Sequence, residues 1–564
     1  MYKEYKEAWA ELISVGADFE IEKIDVRGAP INTYKNALPT LKHMWEQTRQ
    51  FGDRDYLVYQ DERISYSDAH KIVDSVATWL LQNEVSHGDR VAIAMRNYPE
   101  WLLSYWATLS VGASVVGMNA WWTEPEMLYA IEDSKPKVIF LDQERLNIFG
   151  GISAELSFIT PITVRAESAD TGLANWNELL DTEPEANSIE IQPDDDACIF
   201  YTSGTTGRPK GAQLTHRGCI SNIWSMMFSA SLQRLIGEKK GLLEPGADPI
   251  IPSALVTTPL FHVTANNCAA HATTIAGGRL THMYRWDAGE ALKIVEAEKI
   301  TSLSGVPVMA REIITHPDFD KTDTSSLMTV GGGGAQLQPD LVTKIEERVT
   351  TARPSTGYGM TETCGIITSI GGDYFIDKPE SCGPATPAYE VKIVDPSSTE
   401  TLPKGETGEL WVRGGHVIKG YLNRPEATEE TIVDGWLRTG DMAKMDEDDF
   451  IYIVDRIKDM VLRGGENIYC AEVESAIFDH PAVSECTVFG VPDDRLGEEV
   501  GVIIYLVPES AKTVSEIREF CFAHMAKHKV PKYIWFSDSP LPRNANGKFL
   551  KRELRESVDL KDAL

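Results

Sequence analysis

Cysteine is scarce in this chain, and the spacings that give cysteine a structural role are missing. Eight cysteines are spread over 564 residues, and no two of them form a C-x-x-C pair. The sequence also contains no H-E-x-x-H motif. A disulfide scaffold needs denser cysteines, and a zinc or redox dithiol site needs such short spacings. The sequence therefore predicts free, buried thiols in a reducing compartment.

Basic residues are also in short supply. The chain has 54 Lys and Arg residues against 85 Asp and Glu residues, which leaves a formal net charge of −31. Such a field repels the phosphates of nucleic acids and of anionic lipids, so binding to either is a poor hypothesis. Glu4, Glu7 and Glu11 occupy the region in which a secretory signal peptide would be apolar. A cytoplasmic location is therefore expected.

One segment carries no charge at all. It runs from Trp101 to Thr123, and it is long enough to span a bilayer. Serine, threonine, glycine and asparagine interrupt it, and its apolar rhythm changes near Gly112. This pattern predicts a helix up to about Gly112 and then a buried strand, Ala113 to Met118, rather than a transmembrane segment.

Strands alternate with helices on both sides of that segment. Arg90–Met95 and Val138–Leu141 have the pattern of short apolar strands. Thr123 and Glu126 form a capping box that begins a helix between these two strands. The same alternation returns between residues 255 and 370. It predicts an α/β fold with two mainly parallel sheets covered by helices.

The pattern changes after residue 385. Short alternating strands with Gly and Pro turns predict a small β-barrel subdomain at 385–457. Beyond it, apolar periodicity and the capping box of Thr513 and Glu516 predict a compact, mobile α+β unit. The expected domains are therefore a large one, 1–457, and a small one, 458–564.

The strongest functional signal is YTSGTTGRPKG, from Tyr201 to Gly211, which follows the strand-like Ala197–Phe200. Its glycines let backbone N–H groups approach an anion, and its hydroxyls and Lys210 add further donors. The spacing is not that of a Walker A loop. By itself, such a run is also compatible with a flexible surface loop, but its place after a buried strand favours phosphate binding.

The segment TSGTTGRPKG resembles the phosphate loop of the adenylate-forming superfamily, which contains acyl- and aryl-CoA synthetases, adenylation domains and luciferases. Five further segments match that superfamily, in its order, between residues 40 and 560. The resemblance is to AMP-dependent acyl-CoA synthetases of the fatty-acid–CoA ligase type. It implies a large nucleotide- and acyl-binding domain followed by a small mobile domain.

The resemblance assigns nucleotide contacts to single residues. Tyr358 would stack on adenine, Thr361 would contact the α-phosphate, and Glu362 would hold Mg²⁺. Asp441 would accept both ribose hydroxyls. The full set of implied ATP- and AMP-binding residues is Thr202, Ser203, Gly204, Thr205, Thr206, Gly207, Lys210, Gly333, Gly334, Ala335, Gly357, Tyr358, Gly359, Met360, Thr361, Asp441, Ile453, Arg456 and Lys548.

Two matching segments concern the small domain. Arg456 resembles a second ribose contact, and Lys458 resembles the hinge about which that domain rotates. Lys548 resembles the lysine that bridges the carboxylate and the α-phosphate. The residues implied for the CoA passage and hinge are Lys458, Gly464, Gly465 and Glu466. The implied catalytic residues are Lys548, Glu362, Thr202 and Thr361.

The acid is defined less well. Four glycines, Gly331–Gly334, replace a usual Ser/Asn-Gly-Gly-Ala-Pro pattern and would widen the space beside the nucleotide. No Asp near Phe261 offers to bind an amino group, and His262 is either a pocket gate or a packed core residue. The implied acyl-pocket residues are Trp224, Met227, Phe228, His262, Val306, Gly332, Gly333 and Ile366.

These inferences predict an enzyme that joins a hydrophobic carboxylic acid to CoA through an acyl-AMP intermediate. Its substrates would be the acid, ATP and CoA, with Mg²⁺ as cofactor. A medium- or long-chain fatty acid is the first expectation, and an aromatic or polycyclic acid, such as a steroid side-chain acid, is the second. Loading of a carrier protein instead of CoA, a nucleotide sensor with the same fold, and a homodimer all stay open.

Overall fold

The computed structural model of the protein describes residues 2–167, 173–202, 208–246, 248, 250–334, 337, 339–349, 351–464, 466–507, 510–543, 549–560 and 563. The chain divides into two compact units. The large unit comprises Met1–Glu390 and Arg413–Leu437, and the small unit comprises Val391–Val412 and Arg438–Leu564. The domain boundary between residues 457 and 458 stays a prediction.

Helices are distributed along the whole chain. They are α1 (Tyr2–Leu12), α2 (Leu41–Gln47), α3 (Tyr66–Gln82), α4 (Pro99–Ser110), α5 (Glu124–Ser134), α6 (Gln143–Ile152), α7 (Trp176–Leu180), α8 (His216–Lys239), α9 (His271–Ile275), α10 (Ala288–Glu298), α11 (Pro307–Thr315), α12 (Pro339–Arg348), α13 (Asp373–Asp377), α14 (Pro425–Thr431), α15 (Cys470–Phe478), α16 (Val514–His524) and α17 (Lys551–Ser557). A π-helix spans Thr264–Ala270, and short 3₁₀ turns span Thr48–Phe51, Ser153–Glu155, Phe319–Lys321 and Thr361–Thr363.

Most strands are short. They are β1 (Ile21–Val26), β2 (Ala29–Tyr34), β3 (Asp55–Tyr59), β4 (Glu62–Ser65), β5 (Arg90–Ala94), β6 (Ser114–Gly117), β7 (Val138–Asp142), β8 (Thr160–Val164), β9 (Ala174–Asn175), β10 (Asp196–Thr202), β11 (Lys210–Thr215), β12 (Ser253–Val256), β13 (Arg279–His282), β14 (Ser302–Gly305), β15 (Thr329–Gly332), β16 (Arg353–Thr356), β17 (Gly359–Met360), β18 (Gly365–Ile366), β19 (Ile370–Gly371), β20 (Tyr389–Val394), β21 (Thr407–Gly414), β22 (Ile432–Val433), β23 (Trp436–Met445), β24 (Ile451–Arg456), β25 (Val461–Arg463), β26 (Glu466–Ile468), β27 (Val483–Asp493), β28 (Gly497–Leu506) and β29 (Tyr533–Ser537).

Two large sheets form the frame of the large unit. One has seven strands in the order β11-β10-β6-β5-β7-β8-β9, and its neighbours are parallel except for β10 and β11. The other has eight strands in the order β19-β16-β15-β14-β12-β13-β3-β4, and it is antiparallel at its two edges. The predicted α/β class with two mainly parallel sheets is confirmed.

The small unit is built from two further sheets. Strands β20, β21 and β23 lie side by side, and β24 pairs antiparallel with β23. The second sheet has the order β26-β25-β28-β27, with β29 parallel to β28. Helix α15 packs against β27 and α16, over a core of aliphatic and cysteine side chains. The predicted α+β architecture is confirmed, and closure of the first sheet into a barrel stays a prediction.

The uncharged segment folds as its sequence predicts. Helix α4 ends at Ser110, and β6 begins at Ser114 in the middle of the seven-stranded sheet. Every residue of both elements is buried, which explains why the segment from Trp101 onward carries no charge; the one acidic residue of α4, Glu100, precedes that segment and pairs with Arg165 at 2.9 Å. Between them, Gly112 has a φ of +72°, and a Cβ at this position would lie 2.7 Å from the His87 ring. Among the described residues, no helix is long and apolar enough to cross a membrane.

A buried ion pair closes one end of the seven-stranded sheet. Asp142, the last residue of β7, caps α6 by accepting a hydrogen bond from the Arg145 N–H. The Arg145 side chain returns two hydrogen bonds to the same carboxylate, at 2.6 and 2.8 Å, and donates a third to the Ala120 carbonyl. Both side chains are at most 3% exposed. The pair therefore ties the loop after β6 to the end of β7.

Replacing Arg145 by Met should destabilise the large unit by about 3–5 kcal/mol, because it leaves the Asp142 carboxylate buried without its cation. Urea unfolding measures this loss. As a control, Lys71→Ala removes one partner of an exposed pair with Asp68 and should cost less than about 1 kcal/mol. An equally small effect of Arg145→Met would contradict the role given to the pair.

Candidate active site

A tight turn presents Glu362 in the large unit. The 3₁₀ turn Thr361–Thr363 connects β17 to β18, which pair antiparallel. A Cβ on Gly359 would lie 1.9 Å from the carbonyl oxygen of Gly365, so only glycine fits at this close approach. Cys364 adopts a left-handed conformation with a φ of +54° and closes the turn. The backbone therefore holds the residue predicted to bind Mg²⁺ in one defined place.

The Glu362 carboxylate is buried, and Tyr421 holds it. The Tyr421 hydroxyl donates a hydrogen bond of 2.9 Å to Glu362 Oε1. The Ile418 N–H donates to the Glu362 carbonyl at 3.0 Å, which ties the backbones of the two segments together. Burial and the neighbouring Glu362 carboxylate raise the pKa of Tyr421 well above its usual range. Tyr421 is therefore a neutral donor, and Glu362 is its acceptor.

The same tyrosine contacts the exit of the phosphate loop. The Lys210 ammonium lies over the Tyr421 ring, 4.3 Å from its centroid. Tyr421 also forms a β-bridge with Ala212, and the Leu422 N–H donates to the Gly211 carbonyl at 2.8 Å. Lys210, at the start of β11, and Glu362 are therefore held by one side chain.

The two ends of the phosphate loop are paired with each other. Thr202 ends β10, and Lys210, which begins β11, is its antiparallel partner. The Thr202 hydroxyl donates to the Lys210 carbonyl at 3.4 Å. The predicted phosphate contacts Ser203, Gly204, Thr205, Thr206 and Gly207 lie outside the described residues.

Tyr358, the predicted adenine contact, lies just before the Glu362 turn. Its N–H donates to the Thr368 hydroxyl at 3.1 Å, and its carbonyl accepts from the N–H groups of Ile367 and Thr368. A Cβ on Gly357 would lie 2.8 Å from the Thr368 carbonyl oxygen. The structure thus brings Gly357, Tyr358, Gly359, Met360 and Thr361 together on one short segment with Glu362.

The four glycines at the end of β15 fall into two kinds. Space beside Gly331 and Gly332 is filled, since a Cβ there would meet Ser355 or Leu337 at 3.1 Å or less. Among the residues that the structure describes, none has an atom within 4 Å of a Cβ built on Gly333. A Cβ on Gly334, which has a φ of +78°, would meet Val306 at 4.0 Å. The predicted widening therefore concerns Gly333 and Gly334, next to Val306; Ala335 lies outside the described residues.

The predicted acyl-pocket residues on α8 have different surroundings. Trp224 and Phe228 are buried, whereas Met227 is 36% exposed. The Phe228 ring packs edge-on against Trp9 of α1, at 4.6 Å, and against Phe19, at 5.5 Å. Phe228 thus belongs to the core beneath α1, and its contact with an acyl group stays a prediction.

Two other predicted pocket residues are fixed by neighbours. The Ile366 N–H donates to the Asn222 side chain of α8 at 2.9 Å, so α8 is tied to the Glu362 turn. His262 is half-buried beside Phe261, with ring centroids 4.5 Å apart, and the Asn266 N–H donates to its carbonyl. Both readings of His262, gate and core residue, are compatible with this position.

The predicted ribose contacts lie together in the small unit. Asp441 on β23 and Arg456 on β24 are antiparallel partners, and their side chains form an ion pair of 3.3 Å. Asp441 is buried, while Arg456 is half exposed. The Gly440 N–H donates to Glu409 at 3.1 Å, which fixes the strand just before Asp441. Ile453 lies on β24 opposite Ala443.

The predicted hinge and CoA-passage residues also lie in the small unit. Lys458 follows β24 in a turn in which the N–H groups of Asp459 and Met460 donate to the Arg456 carbonyl. Gly464 has a φ of +60° and donates its N–H to the Leu496 carbonyl at 2.7 Å. Glu466 begins β26, opposite Arg463. Gly465 and the predicted catalytic Lys548 lie outside the described residues.

The donor set around Glu362 fits Mg²⁺. This ion is usually held by one or two carboxylates together with substrate phosphates and water, rather than by an all-protein cage. Glu362 supplies such a carboxylate, with Oε1 oriented by Tyr421. The described residues contain no group of three or more His, Cys, Asp or Glu residues suited to a metal. A metal at Glu362 would therefore depend on the phosphates of its nucleotide.

Two residues important to this geometry, Tyr421 and Asn222, were not identified from the sequence. Tyr421 lies in GYLNRPEAT, 59 residues after its partner Glu362, and Asn222 lies 144 residues before Ile366. A Gly-Tyr pair next to an Asn-Arg-Pro turn is a signal for a defined loop. It does not indicate which distant residue the loop contacts.

Comparison with known proteins agrees with this arrangement. The model of the AMP-binding enzymes matches residues 44–422, and that of their C-terminal domain matches residues 472–548. The chain is 34% identical to the putative acyl-CoA synthetase YngI of Bacillus subtilis, over 92% of this chain and 97% of that protein. It is 34% identical to a feruloyl-CoA synthase from an Amycolatopsis species, over 87% and 93%. ATP-bound MatB from Rhodopseudomonas palustris has a TM-score of 0.80 and 29% identity, over 92% of this chain and 98% of MatB.

The α/β large unit, the α+β small unit and the two matching family models together define an adenylate-forming enzyme. The chain belongs to the AMP-binding enzyme family. It is an AMP-forming acid–thiol ligase, as its acyl-CoA synthetase relatives indicate. ATP and CoA are the substrates of this family, and the family resemblance inferred from six sequence segments is confirmed.

Replacing Tyr421 by Phe should raise the KM for MgATP, because the Glu362 carboxylate loses the hydrogen bond from the Tyr421 hydroxyl while the ring beneath Lys210 is kept. A hydrogen bond to a charged group contributes about 1.5–3 kcal/mol, so kcat/KM should fall by about 10- to 100-fold. ATP–pyrophosphate exchange at varied Mg²⁺ measures the effect.

Tyr452→Phe is the matched control, since the Tyr452 hydroxyl donates a hydrogen bond to a different carboxylate, that of Asp446 in the turn between β23 and β24. It should leave the Mg²⁺ dependence unchanged. If Tyr421→Phe behaves in the same way as this control, the positioning of Glu362 by Tyr421 is wrong.

Proposed function

We propose that this ligase activates a hydrophobic carboxylic acid as its acyl-adenylate and then transfers the acyl group to the thiol of CoA. The observation that carries the proposal is the shared contact of Tyr421 with Glu362 and Lys210. It joins an anion suited to Mg²⁺ with a cation at the phosphate loop. Both charges are needed where a nucleotide triphosphate must react.

The first half-reaction brings two anions together, so catalysis rests on positioning and charge neutralisation. Tyr358, Asp441 and Arg456 would hold the nucleoside so that the carboxylate attacks the α-phosphorus in line. Lys548 would bridge the attacking carboxylate and the α-phosphate, and pyrophosphate would leave along the loop that ends at Lys210. Mg²⁺ held at Glu362 would supply charge neutralisation on the phosphate oxygens.

The second half-reaction needs a different set of residues. The carbonyl carbon of the acyl-adenylate is attacked by the CoA thiol, the bond to the phosphate oxygen breaks, and AMP leaves. Rotation about Lys458 would withdraw Lys548 and bring Gly464, Gly465 and Glu466 to the pantetheine chain. No protein nucleophile is required for either step. If a carrier protein is the acceptor instead, its phosphopantetheine thiol takes the place of CoA.

Among hydrophobic acids, we place an aromatic or polycyclic carboxylate first. The feruloyl-CoA synthase that shares 34% identity supports this choice, because its named acid contains an aromatic ring. The space that the described residues leave beside Gly333 is compatible with a wide substrate. A medium- or long-chain fatty acid, the first expectation from the sequence, is the second candidate, supported by the apolar Trp224, Val306 and Ile366.

Replacing Lys548 by Ala should lower adenylate formation by about 100-fold or more, because the charge between the two anions is lost. Thioester formation from supplied acyl-adenylate should be largely spared. ATP–pyrophosphate exchange and CoA-dependent release of AMP measure the two steps separately. Lys527→Ala, at an exposed lysine of the same unit, is the control and should leave both rates unchanged. Equal loss of both steps in Lys548→Ala would contradict the assignment.

A panel of acids separates the two substrate classes. Hydroxycinnamic, benzoic and fused-ring propanoic acids should give the highest kcat/KM. Each buried methylene contributes about 0.8 kcal/mol, so four carbons change binding by roughly two decades in a chain-length pocket. A steep rise of kcat/KM with fatty-acid length would overturn the aromatic choice. Exchange without thiol transfer to CoA would favour a carrier-protein acceptor, and no exchange with any acid would favour a sensor.

A further inference from the structure

The predicted hinge lies inside the small unit rather than at its border. Strand β24 ends at Arg456, two residues before Lys458, and α15 begins at Cys470, twelve residues after it. These two elements pack against each other. Both belong to the small unit, together with all residues that follow the hinge. Rotation about Lys458 must therefore break the contact between β24 and α15.

Asp455 makes the polar link in that contact. One of its carboxylate oxygens accepts a hydrogen bond from the Cys470 N–H, the first helical residue of α15. The other oxygen accepts from the Arg456 N–H at 2.7 Å. The first N–H groups of a helix have no partner within it, and a carboxylate at this end is favourable. Asp455 is 7% exposed, so this bond lies in a buried interface.

Charged groups from three directions face this carboxylate. Lys551 on α17 forms an ion pair of 2.8 Å with Glu474 on α15. Asp459, in the turn after the hinge, accepts the Cys470 thiol at 2.9 Å through its carbonyl. Burial raises the pKa of Asp455 to about 6; Lys551 and the Arg456 N–H oppose this rise, while Glu474 and Asp459 add to it. Tyr469, next to Cys470, has its pKa raised by burial and by Asp455.

We infer that Asp455 is a positioning residue that holds the chain after Lys458 in the present arrangement and must release Cys470 when the small domain rotates. The inference rests on the proposed function, since it takes Lys458 as the hinge. It assigns Asp455 a role in the balance between the two half-reactions, not in either chemical step. The Asp455 carboxylate accepts hydrogen bonds from N–H groups on both sides of the hinge. A rigid domain would not require this link to be a polar one.

The pH dependence of this release has a defined sign. In the held arrangement the carboxyl keeps its proton up to a pH of about 6. Once exposed to solvent, an aspartate loses it near pH 4. The held arrangement therefore binds the proton more tightly, so raising the pH from 5 to 7 favours release and lowering it favours holding. The two pKa values differ by about two units, and each unit is a factor of ten. The ratio of released to held molecules therefore changes by at most about 100-fold over the whole pH range.

The test measures the two half-reactions separately in Asp455→Ala and Asp455→Asn. In Asp455→Ala one rate should rise while the other falls, changing their ratio by about 5-fold or more, because a shifted equilibrium favours one state at the expense of the other. Asp455→Asn keeps an acceptor for the Cys470 N–H but cannot titrate. It should therefore give the ratio that the wild-type protein shows at low pH, where Asp455 is protonated, and lose the change of that ratio between pH 5.5 and 7.5.

Asp446→Ala is the matched control. The Asp446 carboxylate also accepts backbone N–H groups, from Asp448 and Phe450, but all of these lie before the hinge. It should leave the ratio of the half-reactions unchanged. Loss of both rates by the same factor in Asp455→Ala, or no change in either, would overturn the inference.

A second readout does not depend on activity. Trypsin cleavage after Arg456 and Lys458 should be faster in Asp455→Ala than in the wild-type protein and in Asp446→Ala, because release exposes the hinge. Unchanged cleavage would also overturn the inference. If the wild-type enzyme fails to form an adenylate from any acid while cleavage responds as expected, the proposed function fails and the holding role of Asp455 stands.

Discussion

The hydrogen bond from Tyr421 to Glu362 is the interaction on which the geometry of the large unit's site depends. It joins two segments that are 59 residues apart. Because the bond is buried, removing either partner would leave the other polar group without water or a hydrogen bond, which would destabilise the fold. Because Tyr421 also lies beneath Lys210 and bridges to Ala212, one neutral side chain orients a carboxylate and an ammonium at once. In a chain with a net charge of −31, the contact with Tyr421 keeps the Lys210 ammonium beside the loop that is predicted to bind phosphate.

Glycine serves two opposite purposes around that interaction. At Gly359 the backbones of β17 and β18 approach so closely that any side chain would collide with Gly365. This contact leaves the Glu362 turn little freedom, which suits a residue that must be in place before the nucleotide arrives. At Gly333 the reason is the reverse, because the described part of the chain leaves the space beside it open. The same residue type therefore makes one loop rigid and leaves room at the other.

Elements with a local signal were predictable, and contacts between distant segments were not. The change from α4 to β6 could be read from the sequence because both elements are buried on all sides and Gly112 separates them. The phosphate loop, the Glu362 turn, Asp441 and Arg456 could be selected as candidates because they match a family pattern, and their roles stay predictions. Tyr421 was missed because its contact with Glu362 depends on the β-bridge between Ala212 of β11 and Tyr421 itself, which is distant in the sequence. The contact of Phe228 with Trp9 was likewise not predictable, because nothing in α8 alone indicates that α1 packs against it.

The contact between β24 and α15 is the one that the proposed rotation about Lys458 would have to break. An apolar residue at position 455 would bind the first turn of α15 through burial alone and would be costly to expose. A carboxylate forms a directed bond to the helix end, but its burial opposes its own charge, as the raised pKa of Asp455 indicates. These opposing terms keep the free-energy difference between the held and released arrangements small. The proposed catalytic cycle passes through the held and the released arrangement in every turnover and requires such a balance. If one arrangement were strongly favoured, the half-reaction that needs the other arrangement would be slow.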